Sequence, residues 1–115
     1  MRGKRGDVVL VLFPDSNLRT AKRRPALVVQ ADDLRSGLQQ TIIAMISSNM
    51  SRAGHPSRIT LSLNTPEGQQ SGLKTESVVM TDNLATVLDN EIDRVIGSFS
   101  AMSLVDAALR HTLGL

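Results

Sequence analysis

The sequence predicts a mainly β fold with short helices: a small, strongly bent sheet or barrel closed by one C-terminal helix. Three observations carry this. Short, β-branched apolar runs recur between turn-rich loops, the strand–helix alternation of a parallel fold is missing, and only the last stretch spaces its apolar residues as a helix does. A chain of 115 residues fits one domain, residues 1–115, with a modest core.

The elements follow in order. Residues 8–13 (VVLVLF) form a continuous apolar run that suits a strand covered on both faces. Pro14, Asp15, Ser16 and Asn17 break it, and a loop runs through a basic cluster to Pro25. Residues 26–30 (ALVVQ) read as the second strand and residues 41–48 (TIIAMISS) as the third, which is β-branched and central in character. Residues 58–63 (RITLSL) alternate strictly, with Ile59, Leu61 and Leu63 on one face, as a half-exposed strand does. Residues 64–72 carry Pro66, Gly68 and Gly72 and read as loop. Residues 77–81 form a fifth strand, and residues 84–88 either continue it or follow a bend at Asp82 and Asn83. A helical turn over 89–93 and a short strand over 95–98 come next. Ser100 can cap a final helix whose Leu104, Val105, Ala108, Leu109, Thr112 and Leu113 share one face, and Gly114 is a natural stop.

Composition narrows the function classes. With 41% hydrophobic and 21% charged residues the chain is an ordinary globular domain and not a disordered one. Without cysteine it has no disulfide framework and no thiolate metal site, and it is compatible with an intracellular, cytoplasmic setting. No apolar run approaches the roughly 20 residues that span a bilayer, and the apolar run after the basic start is too short for a signal peptide, so no membrane role is expected. The formal charge is only +2, but Arg19, Lys22, Arg23 and Arg24 fall within six residues, and Arg52 and Arg58 flank a second polar segment. Basic loops of this kind suit a phosphate partner, although solvated charge is the commoner explanation of such a cluster. Phe13 and Phe99 are the only aromatics, so recognition of nucleic acid would rest on hydrogen bonds and charge, not on stacking platforms.

The sequence has no Gly-rich phosphate loop, no paired-histidine metal motif and no nucleophile elbow. His55 and His111 lie far apart in sequence, which argues against a histidine metal site; carboxylates alone would still be able to hold Mg²⁺. His111 reads as a helix-end histidine. His55, in a polar loop beside Gly54 and Pro56, is a possible acid or base.

Several segments in register then resemble one family. Gly6-Asp7-Val8-Val9, followed by Lys22-Arg23-Arg24-Pro25-Ala26-Leu27-Val28-Val29, is similar to the opening of MazF/PemK toxins. Ile46-Ser47-Ser48-Asn49, Gly72-Leu73-Lys74, Ser77-Val78-Val79, Asp82-Asn83 and Ala85-Thr86 resemble later family elements, and Ala107-Ala108-Leu109-Arg110 resembles the closing helix. The resemblance spans essentially the whole chain. It implies an SH3-like small β-barrel, a homodimer, and metal-independent cleavage of single-stranded RNA to 2′,3′-cyclic phosphate and 5′-hydroxyl ends, with no cofactor. It also implies a cognate antitoxin that blocks the RNA groove. The alternative is a weak or inactive member that binds RNA or an antitoxin-like peptide.

Carried onto this sequence, the resemblance makes Arg24 the catalytic arginine, and Ser47 matches a position where many members have threonine. The chemistry agrees. Attack by the substrate's own 2′-hydroxyl needs no protein nucleophile, only alignment, proton handling and stabilisation of a doubly charged phosphorane. A guanidinium fork meets phosphate oxygens in two places, and a hydroxyl can donate to one. Pro25, with its fixed φ, is expected to organise the entry to the second strand. Asp15, Ser16, Asn17, Arg19, Lys22 and Arg23 of the first loop, Pro25 after it, Asn49 and Ser57 of the second, and Asn83 are the expected RNA contacts. Met80 stands where the PemK branch has a further catalytic arginine, Ala85 replaces the arginine usual before Thr86, and the first loop lacks a histidine. The proton acceptor therefore stays open among His55, Asp82 and a water; an arginine with a pKa above about 12 is a poor base.

Overall fold

A computed structural model describes residues 3–14 and 21–115 of the chain. In order these form β1 (Asp7–Pro14), β2 (Ala21–Val28), β3 (Gln40–Ser47), β4 (Arg58–Leu61), a short helix α1 (Pro66–Gln70), the long β5 (Ser77–Leu88), a 3₁₀ turn (Asp89–Glu91), β6 (Ile92–Ser98) and the helix α2 (Met102–Leu113). The six strands make one sheet in the order β4-β5-β3-β2-β1-β6, with every pairing antiparallel.

The apolar runs are buried on both faces of the sheet, as continuous hydrophobicity requires. Val8, Leu27, Ala44, Ile46, Ile59, Leu61 and Val79 pack on one side with Phe99 and with Val105 and Ala108 of α2. Their sequence neighbours Val9, Ala26, Val28, Ile43 and Met45 pack on the other with Val87 and Ile92. At the N-terminal end, the Arg5 guanidinium donates to the Val29 carbonyl and pairs with Asp106 of α2, so one basic side chain of the first segment fastens the helix to the sheet.

Several boundaries differ from expectation. Lys22, Arg23 and Arg24 of the basic cluster are not loop. β2 begins at Ala21, and Lys22 to Pro25 pair with Phe13 to Leu10 of β1. Charged, exposed residues hide a strand whose reason for existing is its partner rather than its own burial. Pro25 accordingly lies inside β2 rather than opening it. β3 pairs with β2 only from Ala26 to Val28, so that ladder stops next to a residue with no N–H to donate. Residues 64–72 contain α1, with Pro66 in its first turn and the Thr65 hydroxyl accepting from Gly68 N–H at 3.1 Å. The expected turn over 89–93 is a 3₁₀ turn that ends at Glu91, and β6 takes over at Ile92. Ser100 does not cap α2; Ala101 occupies that position without a side-chain bond. Gly114 ends the helix in the left-handed conformation, φ 71°, as expected. Leu104 and Leu113 fall outside the buried face, at 56% and 54% exposed.

The sheet is not closed by strand pairing: among the described residues no ladder joins its edges β4 and β6. Backbone contact between α1, the turn after it and β6 fills that side. A Cβ on Gly97 would lie 2.3 Å from the Ser71 carbonyl carbon, and one on Gly72 (φ +74°) 2.0 Å from the Ile96 carbonyl oxygen, so only glycines permit this approach. The chain also bends in β5. Ala44 pairs with Leu84 but Met45 pairs with Met80, leaving Thr81, Asp82 and Asn83 in a wide bulge at the bend the sequence allows.

Candidate functional site

The diverging ends of β2 and β3 create the site. Extending the Ala26↔Met45 register by two residues would set Arg24 opposite Ser47, but the ladder has ended and an opening takes its place. β3 itself continues against β5, with Ile46 beside Val79 and Ser47 beside Val78. Two adjoining clefts of about 330 and 300 Å³ lie here, and Arg24, Ile46 and Ser47 line both. The larger adds Pro25, Ser48, Leu73, Thr75 and Ser77. The smaller adds Phe13, Met45, Met80 and Asn83. Arg24 and Ser47, paired in the sequence reading as the two chemical groups, thus share one opening, together with Pro25 and Asn83.

Local bonds set what these groups can do. The Ser47 hydroxyl oxygen accepts from the Asn49 backbone N–H at 3.0 Å, which leaves its proton to be donated outward. The Asn49 Oδ1 in turn accepts from Ser51 N–H at 3.1 Å and holds the same turn. Ser77 is buried and its hydroxyl donates to the Thr75 carbonyl at 3.0 Å. Among the described residues, Ser48 and Thr75 are the exposed hydroxyl side chains of the larger cleft.

Other expected residues go elsewhere. Arg23, next in β2 and so on the opposite face from Arg24, pairs with Asp93 of β6 at 3.0 Å. Lys22 is exposed opposite Phe13 and lines neither cleft. Asp15, Ser16, Asn17 and Arg19 lie outside the described residues.

Asp82 and Asn83, neighbours in the bulge, part company. Asn83 lines the smaller Arg24 cleft, while the Asp82 carboxylate receives two bonds from Arg58, Nε at 2.8 Å and the terminal nitrogen at 3.0 Å. Hydrogen bonding to Arg58 holds the Asp82 carboxyl below its ordinary value, against some opposing desolvation. His55 belongs to the same second cluster. Its Nδ1 lies 2.7 Å from the Ser57 hydroxyl and accepts from Ser57 N–H at 3.1 Å, and its ring meets His111 edge-on at 6.2 Å. Ser57 is 3% exposed and so is a structural residue of the loop, not a surface contact. Thr81 ties this cluster to α2: its hydroxyl donates to the Ser57 carbonyl at 2.7 Å and meets the Thr112 hydroxyl at 2.7 Å. Among the described residues no group of three His, Asp or Glu side chains is arranged to hold a metal ion.

Sequence reasoning missed Thr75, Ser48, Phe13 and Met45 as cleft residues, because which faces meet depends on where one ladder ends. The Arg58–Asp82 pair had a signal: Arg58 stands opposite Met80 in the ladder, so Asp82 is its diagonal neighbour on the same face.

The sequence profile of PemK-like, MazF-like toxins of type II toxin–antitoxin systems matches residues 4–113. Endoribonuclease MazF6 of Mycobacterium tuberculosis is 34% identical over 107 residues, 90% of either chain. In fold, the chain is similar to an endoribonuclease in complex with its cognate antitoxin from Mycobacterial species, with TM-score 0.72, 20% identity, and 99% and 97% of the two chains covered. It is likewise similar to MazE–MazF from Deinococcus radiodurans, with TM-score 0.74, 19% identity, and 98% and 97% covered. A profile that spans all but the ends of the chain, and a relative at that identity over nine-tenths of it, establish that the protein belongs to the PemK-like, MazF-like toxin family of type II toxin–antitoxin systems.

Proposed function

We propose that the chain is the endoribonuclease toxin of a type II toxin–antitoxin pair, a single cytoplasmic domain that cuts single-stranded RNA, acts as a homodimer and is held in check by a cognate antitoxin. The observation that carries the reading is the convergence of Arg24 and Ser47 on one opening between β2 and β3. In this reading the curled sheet, with α1 and α2 over it, is a small barrel of the SH3-like kind, completed by helix and backbone contact rather than by a last ladder.

The reaction is a transfer within the RNA. The 2′-oxygen bonds to the adjacent phosphorus, the bond from phosphorus to the 5′-oxygen breaks, and the products are a 2′,3′-cyclic phosphate and a 5′-hydroxyl. Two negative charges build on the non-bridging oxygens in the transition state. The Arg24 guanidinium meets them, and Ser47, its oxygen held by Asn49, donates to one. The proton from the 2′-hydroxyl goes to water, and water returns a proton to the departing 5′-oxygen. Asp82 is a weak base because Arg58 stabilises its ionised form, and the His55 nitrogen that accepts already takes the Ser57 N–H.

The test uses purified protein, mixed-sequence single-stranded RNA and excess EDTA, with the ends of the products sequenced. Wild type is expected to make discrete cuts bearing cyclic phosphate. Arg24→Ala is expected to lower the rate at least about 100-fold and Ser47→Ala roughly tenfold or more. His55→Ala and Asp82→Asn should stay within a few-fold of wild type. RNA left intact by folded wild-type protein overturns the ribonuclease reading in favour of a module that binds RNA or an antitoxin-like peptide. A hundredfold loss in His55→Ala would return the proton to that ring.

A further inference from the structure

Resting on the ribonuclease reading, we infer that the two adjoining clefts are separate subsites for the two nucleotides that flank the cut phosphate, and that Asn83 and Thr75 read their bases. A scissile phosphate has one nucleotide on each side. The groups assigned to that phosphate, Arg24 and Ser47, are shared by both clefts, which puts the phosphate at their junction and one neighbouring nucleotide in each. At about 330 and 300 Å³, each is at the lower end of the range for small-ligand pockets, which suits one nucleotide rather than a longer segment.

The two clefts differ in chemistry. The smaller is lined by Phe13, Met45 and Met80, and among the described residues the exposed Asn83 is its one amide. Thioethers and a ring edge offer a polarisable, adaptable surface to the flat face of a base. The amide presents a donor and an acceptor side by side, the pattern that matches the edge of one base and rejects others. Met80 borders the β5 bulge and Asn83 lies in it, so the bend that interrupts β5 also builds this pocket. The larger cleft offers the hydroxyls of Thr75 and Ser48 beside Leu73. A hydroxyl rotates to donate or accept, so this side tolerates more bases than the amide side does. Ser77 does not contribute to reading, because its hydroxyl is spent on the Thr75 carbonyl.

The experiment is cleavage of a randomised single-stranded RNA pool by the purified full chain, with the base preference read at each position around the cut. Asn83→Ala and Met80→Ala are expected to relax the preference at the nucleotide on one side of the cut by about fivefold or more, the worth of one base contact. Thr75→Val and Ser48→Ala are expected to act at the nucleotide on the other side, more weakly. Asn83→Asp, an exposed change that keeps the fold, should switch the preferred base at the amide side. The inference is overturned if both pairs of variants act on the same nucleotide, or if wild type cuts and no variant changes the preference at either one. A wild type that cuts nothing sinks the underlying ribonuclease reading instead, so the two failures are told apart.

Discussion

Arg58 and Asp82 make the clearest single contact in the second cluster, and its pH dependence has a definite sign. The Asp82 pKa is lowered in the folded chain, chiefly by its bonds to Arg58. The stability this gives is therefore present above the ordinary carboxylate value of 3.8 and is lost as pH falls below it. The Asp82 side chain is 40% exposed, so water screens the pair and its worth is at most about 1 kcal/mol. Asp82→Asn is expected to be less stable than wild type by about that amount at neutral pH. The gap should close as the medium is acidified past the carboxylate range; a gap in urea midpoints that stays constant down to about pH 3 would show that the pair is not its source. The family resemblance, not residue type alone, singled out Arg24 and Ser47, since a basic cluster by itself reads first as solvated charge. Nothing in the types says that Arg23 turns to Asp93 while Arg24 turns to the cleft. Alternation along a strand decides that, and β2 could not be read as a strand there.

Among the elements, the strands that bury both faces were readable from the sequence, since continuous apolar runs have few other fates. α1 was not, because five residues with two glutamines and a glycine carry no periodicity. What makes that helix matter is its seat against β6, and this gives a comparison between two glycines. Gly72 and Gly54 both have positive φ, +74° and +91°, so alanine at either meets the same backbone penalty of about 1–2 kcal/mol. Only at Gly72 would the new Cβ collide with a carbonyl, that of Ile96. Gly72→Ala is expected to cost about 2 kcal/mol more than Gly54→Ala, read as a further drop of roughly 8 °C or more in Tm by thermal unfolding. Equal losses would mean that the α1 side of the molecule yields readily and that the close approach is not a constraint. A bend at Asp82 and Asn83 was one of two readings the sequence allowed; that it inserts three residues and sends the two side chains to different clusters depends on the register with β3.

The molecule leaves large apolar side chains on its surface, among them Leu34, Leu38, Leu88, Leu104 and Leu113, in keeping with a small domain that reserves part of its apolar area for a partner. Light scattering at micromolar concentration is expected to return about twice the chain mass of 12.4 kDa; a value near one chain would remove the homodimer from the functional reading. The short ladder between β2 and β3 has a mechanical consequence for whatever form the protein takes. Beyond Pro25, the β2 segment from Ala21 to Arg24 is a cantilever, fastened to the sheet along β1 and carrying no ladder on the side of β3. Bending it requires loosening that seam and the exposed Arg23–Asp93 pair, which costs far less than unfolding the domain. Any guest that grips Arg24 on one bank and Ser47 on the other acts as a splint across the gap. The toxin should therefore be stiffer, and harder to melt, when its cleft is filled than when it is empty.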